Sequence, residues 1–396
     1  MIYICLMIVL TIFILYIKRN LFNPACITCL VWCVVIILYQ TTSHGLCELS
    51  LLFFETVFFW CLFFCIGCLC TSNSKFCINA TLSKVPKINK KKGYILLILL
   101  LTVSLCIIFI GAKKSGISSV GYVRNIGLNS EIVPFNVKVV NFITTLIYPL
   151  IFLFLDTDLK KSKKIFLFSL FLILSVLSGS KSQVMQIFIT CLFLISYHKK
   201  IKISFLILMV AVLVGAFFII TLLRDNGNSK IDFLELIYIY FFSPLPAFDL
   251  LLNNKISADA TPFAGTVLGL FYRIAAKFFG TAVPDSGLGF VFVPVPTNVY
   301  TIMLTGYVDF GRNGMFVFSL IYGMLWGYFY SFVKQNNKFY KLLYACFLNV
   351  LILQFFADYL FPYLAIFIYQ IFITIFVYYK SKIKDFKFLR YQGNHD

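Results

Sequence analysis

The feature that most constrains this chain is its series of long apolar runs, which are too many and too long for a water-soluble fold to bury. Hydrophobic residues make up 61% of the 396 residues and charged residues only 12%, which is about half the charged share of a soluble domain. A run of about 20 apolar residues can cross the hydrocarbon core of a bilayer as a helix. The sequence therefore predicts an all-α polytopic membrane protein.

Eleven runs are candidate spans, and polar connectors separate them. They lie at 2–17, 23–40, 49–70, 94–112, 139–155, 165–178, 184–197, 203–223, 314–333, 342–357 and 362–379. The first run has no basic segment before it and no small-residue cleavage site after it, so we interpret it as a retained span and not as a signal peptide.

The charge of the connectors predicts the orientation of the chain. Most of the 34 Lys and Arg residues lie in alternate connectors, at 18–19, 84–92, 160–164, 198–202, 334–341 and 380–390. Short basic loops stay in the cytoplasm, so we expect these connectors inside, the N-terminus outside and the C-terminus in the cytoplasm. The same rule accounts for the net charge of +19 without a nucleic-acid partner.

This topology divides the chain into four parts. Residues 1–223 form an N-terminal bundle of about eight spans, and residues 224–313 form a long outer segment. Residues 314–379 hold the C-terminal spans, and residues 380–396 form a basic cytoplasmic tail. Most of the mass outside the bilayer therefore belongs to the outer segment.

The outer segment is too apolar for an ordinary loop. Residues 231–252 are aromatic and apolar, but Pro244 and Pro246 interrupt any single helix there, which favours a re-entrant or interfacial helix pair. Residues 265–280 form a second amphipathic stretch, and the Gly- and Pro-rich stretch at 281–298 indicates coil. We therefore expect amphipathic or re-entrant helices against the membrane.

Basic residues on the outer side are not explained by the positive-inside rule. Five of them are candidates for a site, namely Arg124, Arg224, Arg273, Lys277 and Arg312, and Arg273 and Lys277 stand four apart on one helix face. If several of them converged they would form an anion site, since arginine binds phosphate through paired charge-assisted hydrogen bonds. Each one taken alone could equally hold a loop in place.

Other ionisable residues allow more than one role. Lys181 lies in a short turn between two spans, where it could snorkel to the interface. Asp309 and Asp358 could each act as a general base or pair with an arginine. Glu55 lies inside the third apolar run, where an ionisable group indicates function. His44 fits a solvated loop residue.

Motifs for bound cofactors are missing. Most of the 13 cysteines lie inside apolar runs, where they behave as small hydrophobic residues, and they do not follow a zinc-binding spacing. The chain contains no phosphate-binding loop, no hydrolase elbow and no dinucleotide loop. We therefore expect no metal or nucleotide cofactor.

The stretch TNVYTIMLTGYVDFGRNGMFVFSLIYGMLWGYFY at 297–330 resembles the bacterial oligosaccharide repeat-unit polymerases, the Wzy-type O-antigen polymerases. In that family an Asn-x-Tyr-Thr segment, an Asp-Phe-Gly-x-x-Gly turn and a span with spaced glycines follow one another. The turn SGSKSQ and the arginine after the next span, Arg224, also agree. Lys181 departs from the arginine that is common in this turn, which removes the bidentate fork.

The resemblance implies a GT-C-like polymerase or ligase architecture in the bacterial inner membrane. Such enzymes transfer a growing chain from undecaprenyl pyrophosphate to a sugar hydroxyl of the next lipid-linked repeat unit, without a metal or a nucleotide. The implied partners are membrane lipid and a chain-length regulator protein. Lipopolysaccharide biosynthesis is the implied process.

The resemblance also implies roles for individual residues. Arg224 and Arg273 would bind the pyrophosphate, with Arg124 and Arg312 as further candidates, and Asp309 would orient or deprotonate the acceptor hydroxyl. The remaining candidates for substrate binding are Lys181, Lys277, Asn298, Tyr300 and Thr301.

Other functions remain open from the sequence. A flippase for the same lipid-linked sugar would share the apolar runs, but the long segment at 224–313 argues against it. An O-antigen ligase would share both the topology and the outer arginines. A non-catalytic membrane scaffold is a third alternative.

Overall fold

The computed structural model is mostly α-helical over the described residues. It describes residues 2–72, 90–116, 118–129, 133–157, 159–198, 204, 211–213, 215–217, 219–221, 238, 241–257, 262–284, 288–335 and 337–392. Thirteen helices have bounds within these residues. They are α1 (Ile2–Lys18), α2 (Pro24–Thr41), α3 (Leu51–Thr71), α4 (Lys90–Ser115), α5 (Tyr122–Asn129), α6 (Phe135–Leu155), α7 (Lys161–Leu177), α8 (Lys181–His198), α9 (Pro244–Leu252), α10 (Gly269–Phe279), α11 (Met303–Lys334), α12 (Lys338–Ile352) and α13 (Leu364–Gln392).

Five helices within the described residues are long and apolar enough to cross a membrane, namely α2, α3, α4, α6 and α11. Shorter apolar helices coincide with other predicted spans, among them α1, α8 and the first half of α13. The prediction of an all-α membrane protein is thus confirmed. The number of eleven spans and the outer location of 224–313 stay predictions.

Local sequence explains several helix starts. Asn23 caps α2 by accepting a hydrogen bond from the Ala25 amide at 3.0 Å, and Ser50 caps α3 by accepting from the Phe53 amide at 3.3 Å. Pro244 occupies the first turn of α9, where its missing N–H costs nothing. The proline that was expected to interrupt a helix therefore begins one.

The stretch expected to be coil contains a small antiparallel hairpin. Strand β1 (Val291–Phe292) pairs with β2 (Pro296–Thr297), with Val291 opposite Thr297. Val293 is buried between the strands and packs with Ala247 and Tyr300. The hairpin is held by this contact, which the composition of 281–298 does not reveal.

The chain divides into two compact units. Unit 1 comprises Met1–Ile78, Ile231–Gln335 and Asn349–Ala365, and unit 2 comprises Asn79–Lys230, Asn336–Leu348 and Ile366–Asp396. Both units combine segments that are distant in sequence. The packing of unit 1 positions the residues of the candidate site.

The core of unit 1 is the contact between α3 and α11, in which glycines bring the two backbones together. A Cβ atom at Gly327 would lie 2.7 Å from the Cys68 carbonyl oxygen, and one at Gly67 would lie 2.8 Å from the Met324 nitrogen. Gly323 faces the Phe64 carbonyl at equally short range. Small residues permit such close crossing of membrane helices, where packing replaces the hydrophobic effect.

The contacts of unit 1 join residues that the predicted alternating topology places on the same side of the membrane. Ser72 accepts hydrogen bonds from the Lys18 and Lys334 ammonium groups, each at 3.2 Å, and all three residues belong to predicted cytoplasmic ends. Glu55 and Arg312, both at predicted outer ends, form an ion pair. Which end faces the cytoplasm stays a prediction from charge.

Polar side chains form hydrogen bonds between the helices of unit 2. The Tyr148 and Thr190 hydroxyls lie 2.7 Å apart, and Thr190 donates to the Ala345 carbonyl at 3.0 Å. Gln186 donates to the Cys346 carbonyl at 3.2 Å. These side chains bond to one another or to backbone carbonyls inside an apolar environment, where an unpaired polar group is costly. They join α6, α8 and α12.

Candidate functional site

A set of charged and hydroxyl side chains lies around the start of α11 in unit 1, and we call it the polar cluster. Its members are Glu55, Thr266, Arg273, Thr305, Asp309, Arg312 and Asp358. Segments far apart in sequence contribute them: α3, α10 with the turn before it, α11, and the turn between α12 and α13. Those segments correspond to the predicted outer ends of the spans.

A break in α11 separates two of the predicted site residues. Gly311 has φ 66° and ψ −175°, a conformation that is essentially restricted to glycine. Asp309 precedes the break and Arg312 follows it. The sequence predicted a turn here, and Gly311 is the non-helical residue at which two helical pieces of Met303–Lys334 meet. The piece before the break adds helix ahead of the span predicted from residue 314.

Asp309 binds the backbone that leads into α10. Its two carboxylate oxygens accept from the Thr266 amide at 3.0 and 3.1 Å, and one of them accepts from the Val267 amide at 2.8 Å. The Thr266 hydroxyl donates to the Thr305 carbonyl at 3.2 Å. The carboxylate therefore holds the turn before α10 against α11.

Arg312 forms an ion pair with Glu55. The Nη2–Oε1 distance is 2.6 Å, and about a third of each side chain is exposed. The Nε atom of Arg312 is buried and has no hydrogen-bond partner among the described residues. The guanidinium thus keeps an unused donor while Glu55 of α3 balances its charge.

Asp358 is buried in the turn between α12 and α13. It accepts from the Thr305 hydroxyl at 2.6 Å, and its other oxygen accepts from the Leu360 amide at 2.8 Å and the Phe361 amide at 3.3 Å. Burial raises the pKa of this carboxyl to about 6, although the three hydrogen bonds oppose the shift. Asp358 is therefore a buried acid that is poised to change its charge near neutral pH.

The two basic residues of α10 are exposed. Arg273 donates from Nε to the Gly269 carbonyl at 3.2 Å and from Nη2 to the Pro362 carbonyl at 3.3 Å. Lys277 lies one turn further along the helix. The Arg273 contact ties α10 to the turn that contains Asp358.

The Asn-x-Tyr-Thr segment is divided between surface and core. Asn298 is exposed, whereas Tyr300 and Thr301 are buried. The Tyr300 hydroxyl donates to the Gly289 carbonyl at 3.2 Å, and burial raises its pKa. The Thr301 hydroxyl is buried without a partner among the described residues. Of the three, Asn298 alone is presented to solvent.

The remaining predicted residues do not belong to the polar cluster. Arg124 is exposed in α5. Lys181 is the first residue of α8 and has an interaction partner. Both residues lie in unit 2. Arg224 lies outside the described residues. Sequence reasoning missed Thr266 and Thr305, since a threonine in an apolar stretch carries no distinguishing signal.

Residues 20–355 match a family model described as "Putative O-antigen polymerase". The chain belongs to the O-antigen polymerase family. Every member of the polar cluster except Asp358 falls within the match, and Asp358 lies just beyond its end. The family resemblance around 297–330 is thus confirmed over most of the chain.

A curated member of the O-antigen polymerase family is similar over nearly its whole length. The "Putative O-antigen polymerase" of Escherichia coli (strain K12) is 24% identical over 350 residues, which cover 84% of this chain and 86% of the relative. No solved structure matches the chain. Within the described residues, no three His, Cys, Asp or Glu side chains are grouped closely enough to hold a metal ion.

Proposed function

We propose that this chain polymerises O-antigen by joining undecaprenyl-pyrophosphate-linked repeat units at the outer face of the inner membrane. The observation that carries the proposal is the family match over residues 20–355, which includes the outer segment and most of the polar cluster. The name of the Escherichia coli relative supports the same activity. The predicted orientation places the polar cluster where a translocated lipid-linked sugar arrives.

In the proposed reaction an acceptor hydroxyl attacks the anomeric carbon of the growing chain. The bond from that carbon to the pyrophosphate oxygen breaks, the lipid pyrophosphate leaves, and the hydroxyl proton passes to a base. Negative charge develops on the leaving group, and fixed cations that stabilise it lower the barrier. The leaving group is already activated, so the proposal requires neither a metal nor a nucleotide.

Arg273 and Arg224 are our candidates for binding the pyrophosphate, followed by Arg312 and Arg124. The exposed guanidinium of Arg273 supports its role, since its two protein contacts are single hydrogen bonds to carbonyl oxygens. Arg312 has a carboxylate partner, so a phosphate would have to replace Glu55. Lys181 and Lys277 are further candidates for substrate contacts.

Asn298, Tyr300 and Thr301 remain our candidates for lining the sugar-binding side, and the exposed amide of Asn298 suits a sugar hydroxyl best.

Asp309 was expected to orient the acceptor. Its hydrogen bonds to Thr266 and Val267 favour an indirect role in which it positions α10 and thereby Arg273. We propose Asp309 as a positioning residue for this reason.

Deletion of the coding gene tests the function. The expected result is surface polysaccharide that carries a single repeat unit, restored to long chains by the intact gene. Complete loss of surface sugar would indicate a flippase. Long chains that stay on undecaprenyl pyrophosphate would indicate a ligase. Either result would overturn the polymerase assignment.

Two substitutions test the pyrophosphate site. Arg224→Ala and Arg273→Ala are expected to abolish chain extension while the protein stays in the membrane, and Lys255→Ala is a matched control for an exposed base in the same segment. Normal chain length in both arginine variants would overturn the assignment.

A chain-length regulator is a proposed partner, and its loss should change the chain-length distribution without abolishing extension.

A further inference from the structure

Helix α10 is amphipathic, and its apolar face is uncovered. Phe271, Ile274 and Phe278 are 56%, 44% and 79% exposed, and their spacing of three and four residues places them on one side. Arg273 and Lys277 lie on the adjacent flank of the helix, about 110° around it at 3.6 residues per turn, and the helix contains no acidic residue. Every side chain of α10 is at least partly exposed, so another surface must cover the aromatic face.

The attachment of α10 fixes its depth relative to the membrane. The 23 residues after the break in α11, 312–334, form a helix about 34 Å long at about 1.5 Å per residue. This length matches a hydrocarbon core about 30 Å thick. Asp309, three residues before that segment, therefore lies at the membrane boundary, and it binds the turn from which α10 starts.

A second contact holds α10 at the same level. Arg273, in the second turn of α10, donates to the Pro362 carbonyl, and Pro362 lies two residues before α13 begins. The turn before α10 and the second turn of α10 are thus each tied to a residue near the end of an apolar helix. A helix held in this way runs along the boundary of the bilayer.

We infer that α10 lies in the plane of the membrane with Phe271, Ile274 and Phe278 among the acyl chains and its basic face against the phosphate groups of anionic phospholipid. An apolar face of this kind typically enters about 5–10 Å below the headgroups. The absence of acidic residues from α10 makes its charge complementary to such lipids. The occupant of the exposed face is the bilayer itself, and this holds whether or not the chain polymerises O-antigen.

Site-directed photo-cross-linking of the full chain tests this inference. A p-benzoylphenylalanine residue in place of Phe278, in vesicles of phosphatidylglycerol and phosphatidylethanolamine, is expected to form a covalent adduct with a phospholipid. The same residue in place of Lys255, which is exposed after α9, is expected to give at least tenfold less. A cross-link to a second copy or to another segment of the chain, or no lipid adduct, overturns the inference.

Two further measurements separate the apolar and the basic face. Ile274→Gln is expected to lower lipid cross-linking from position 278 severalfold, whereas Ala276→Gln, on the side opposite the apolar face, leaves it unchanged. Vesicles of phosphatidylcholine alone are expected to reduce the yield on the order of tenfold, because two basic residues then lose their anionic partners. Equal yields in both lipids overturn the role of Arg273 and Lys277 in binding headgroups.

Discussion

Asp309 and Asp358 are two acidic residues of the polar cluster with different environments. Both connect to Thr305: Asp358 accepts from its hydroxyl, and the Thr266 hydroxyl beside Asp309 donates to its carbonyl. Asp309 uses its oxygens on backbone amides, whereas Asp358 is buried with a raised pKa. The two carboxylates therefore call for separate tests.

Substitution of Asp309 distinguishes a positioning role from a chemical one. Asp309→Asn keeps one oxygen to accept from the Val267 amide, so polymerase activity should stay within about tenfold, whereas removal of a general base costs about 100- to 10,000-fold. Asp309→Ala should reduce activity strongly, because α10 loses its anchor. Polysaccharide length and the amount of protein in the membrane are the measurements. An Asn variant as inactive as the Ala variant, at normal protein level, would contradict positioning.

Asp358 should make the stability of the protein depend on pH. Its pKa is about 6 when folded against an ordinary value of 3.8, so the folded state favours the protonated form. Stability from this group is fully present below pH 4 and decreases as the pH rises through 6, by up to about 3 kcal/mol. Thermal unfolding of the purified protein in detergent at several pH values measures the effect.

The matched variant is Asp358→Asn, which resembles the protonated acid. Its amide can still accept from Leu360 and donate to the Thr305 hydroxyl, so its midpoint of unfolding should exceed that of the wild type at pH 7 and change less between pH 4 and pH 7. A wild-type profile that rises over this range would disagree with the burial of Asp358.

At the level of elements, the contact between α3 and α11 depends on glycine. Any side chain at Gly323 or Gly327 would displace the facing backbone of α3, and Thr71 and Ser319 bond across the same contact at 2.8 and 2.7 Å. Gly323 and Gly327 are the spaced glycines of the family-like stretch at 297–330. The sequence did not reveal α3 as the partner, because every apolar helix is a possible partner in a membrane.

Enlarging Gly323 should therefore destabilise unit 1. Gly323→Leu is expected to cost about 2 kcal/mol or more, since a closely packed contact has no room for added atoms. Gly215→Leu is the control, because a Cβ atom at Gly215 would meet no described residue within 4 Å. The midpoint of thermal aggregation in detergent and the amount of protein in membranes measure the difference. Equal effects of the two substitutions would contradict the packing.

At the level of the whole molecule, two kinds of division coexist. The predicted topology separates 1–223, 224–313 and 314–379 along the chain, whereas packing joins the first three helices to α9, α10 and α11 in unit 1. The contacts of Ser72 with Lys18 and Lys334 agree with alternating spans. These contacts do not indicate which side is cytoplasmic, so the predicted orientation depends on the charge of the connectors.

Reporter fusions test that orientation. Alkaline phosphatase, which is active only outside the cytoplasm, should be active when inserted at 41–48 and inactive at 198–202. A fluorescent protein fused to the C-terminus should fluoresce, since residues 380–396 are predicted to be cytoplasmic. The physical reason is the retention of Lys and Arg on the cytoplasmic side. The opposite pattern at all three sites would reverse the predicted topology and place the polar cluster inside.

The sequence by itself determined that this is a membrane protein and which family it belongs to. Long apolar runs predict membrane helices because a water-soluble fold cannot bury them, and the segment around Asp309 with the spaced glycines sufficed to indicate the O-antigen polymerases. Both conclusions depend on composition and on local spacing, which can be read from the sequence alone.

Only the tertiary structure decided which residues meet. It paired Arg312 with Glu55 across 257 positions and tied Asp309 to the turn before α10. It also placed Tyr300 and Thr301 in the core and left the aromatic face of α10 exposed. Residue type determines what a side chain can bind, but helix packing brings distant residues within hydrogen-bond reach, and in a chain of similar apolar helices the sequence does not specify that packing.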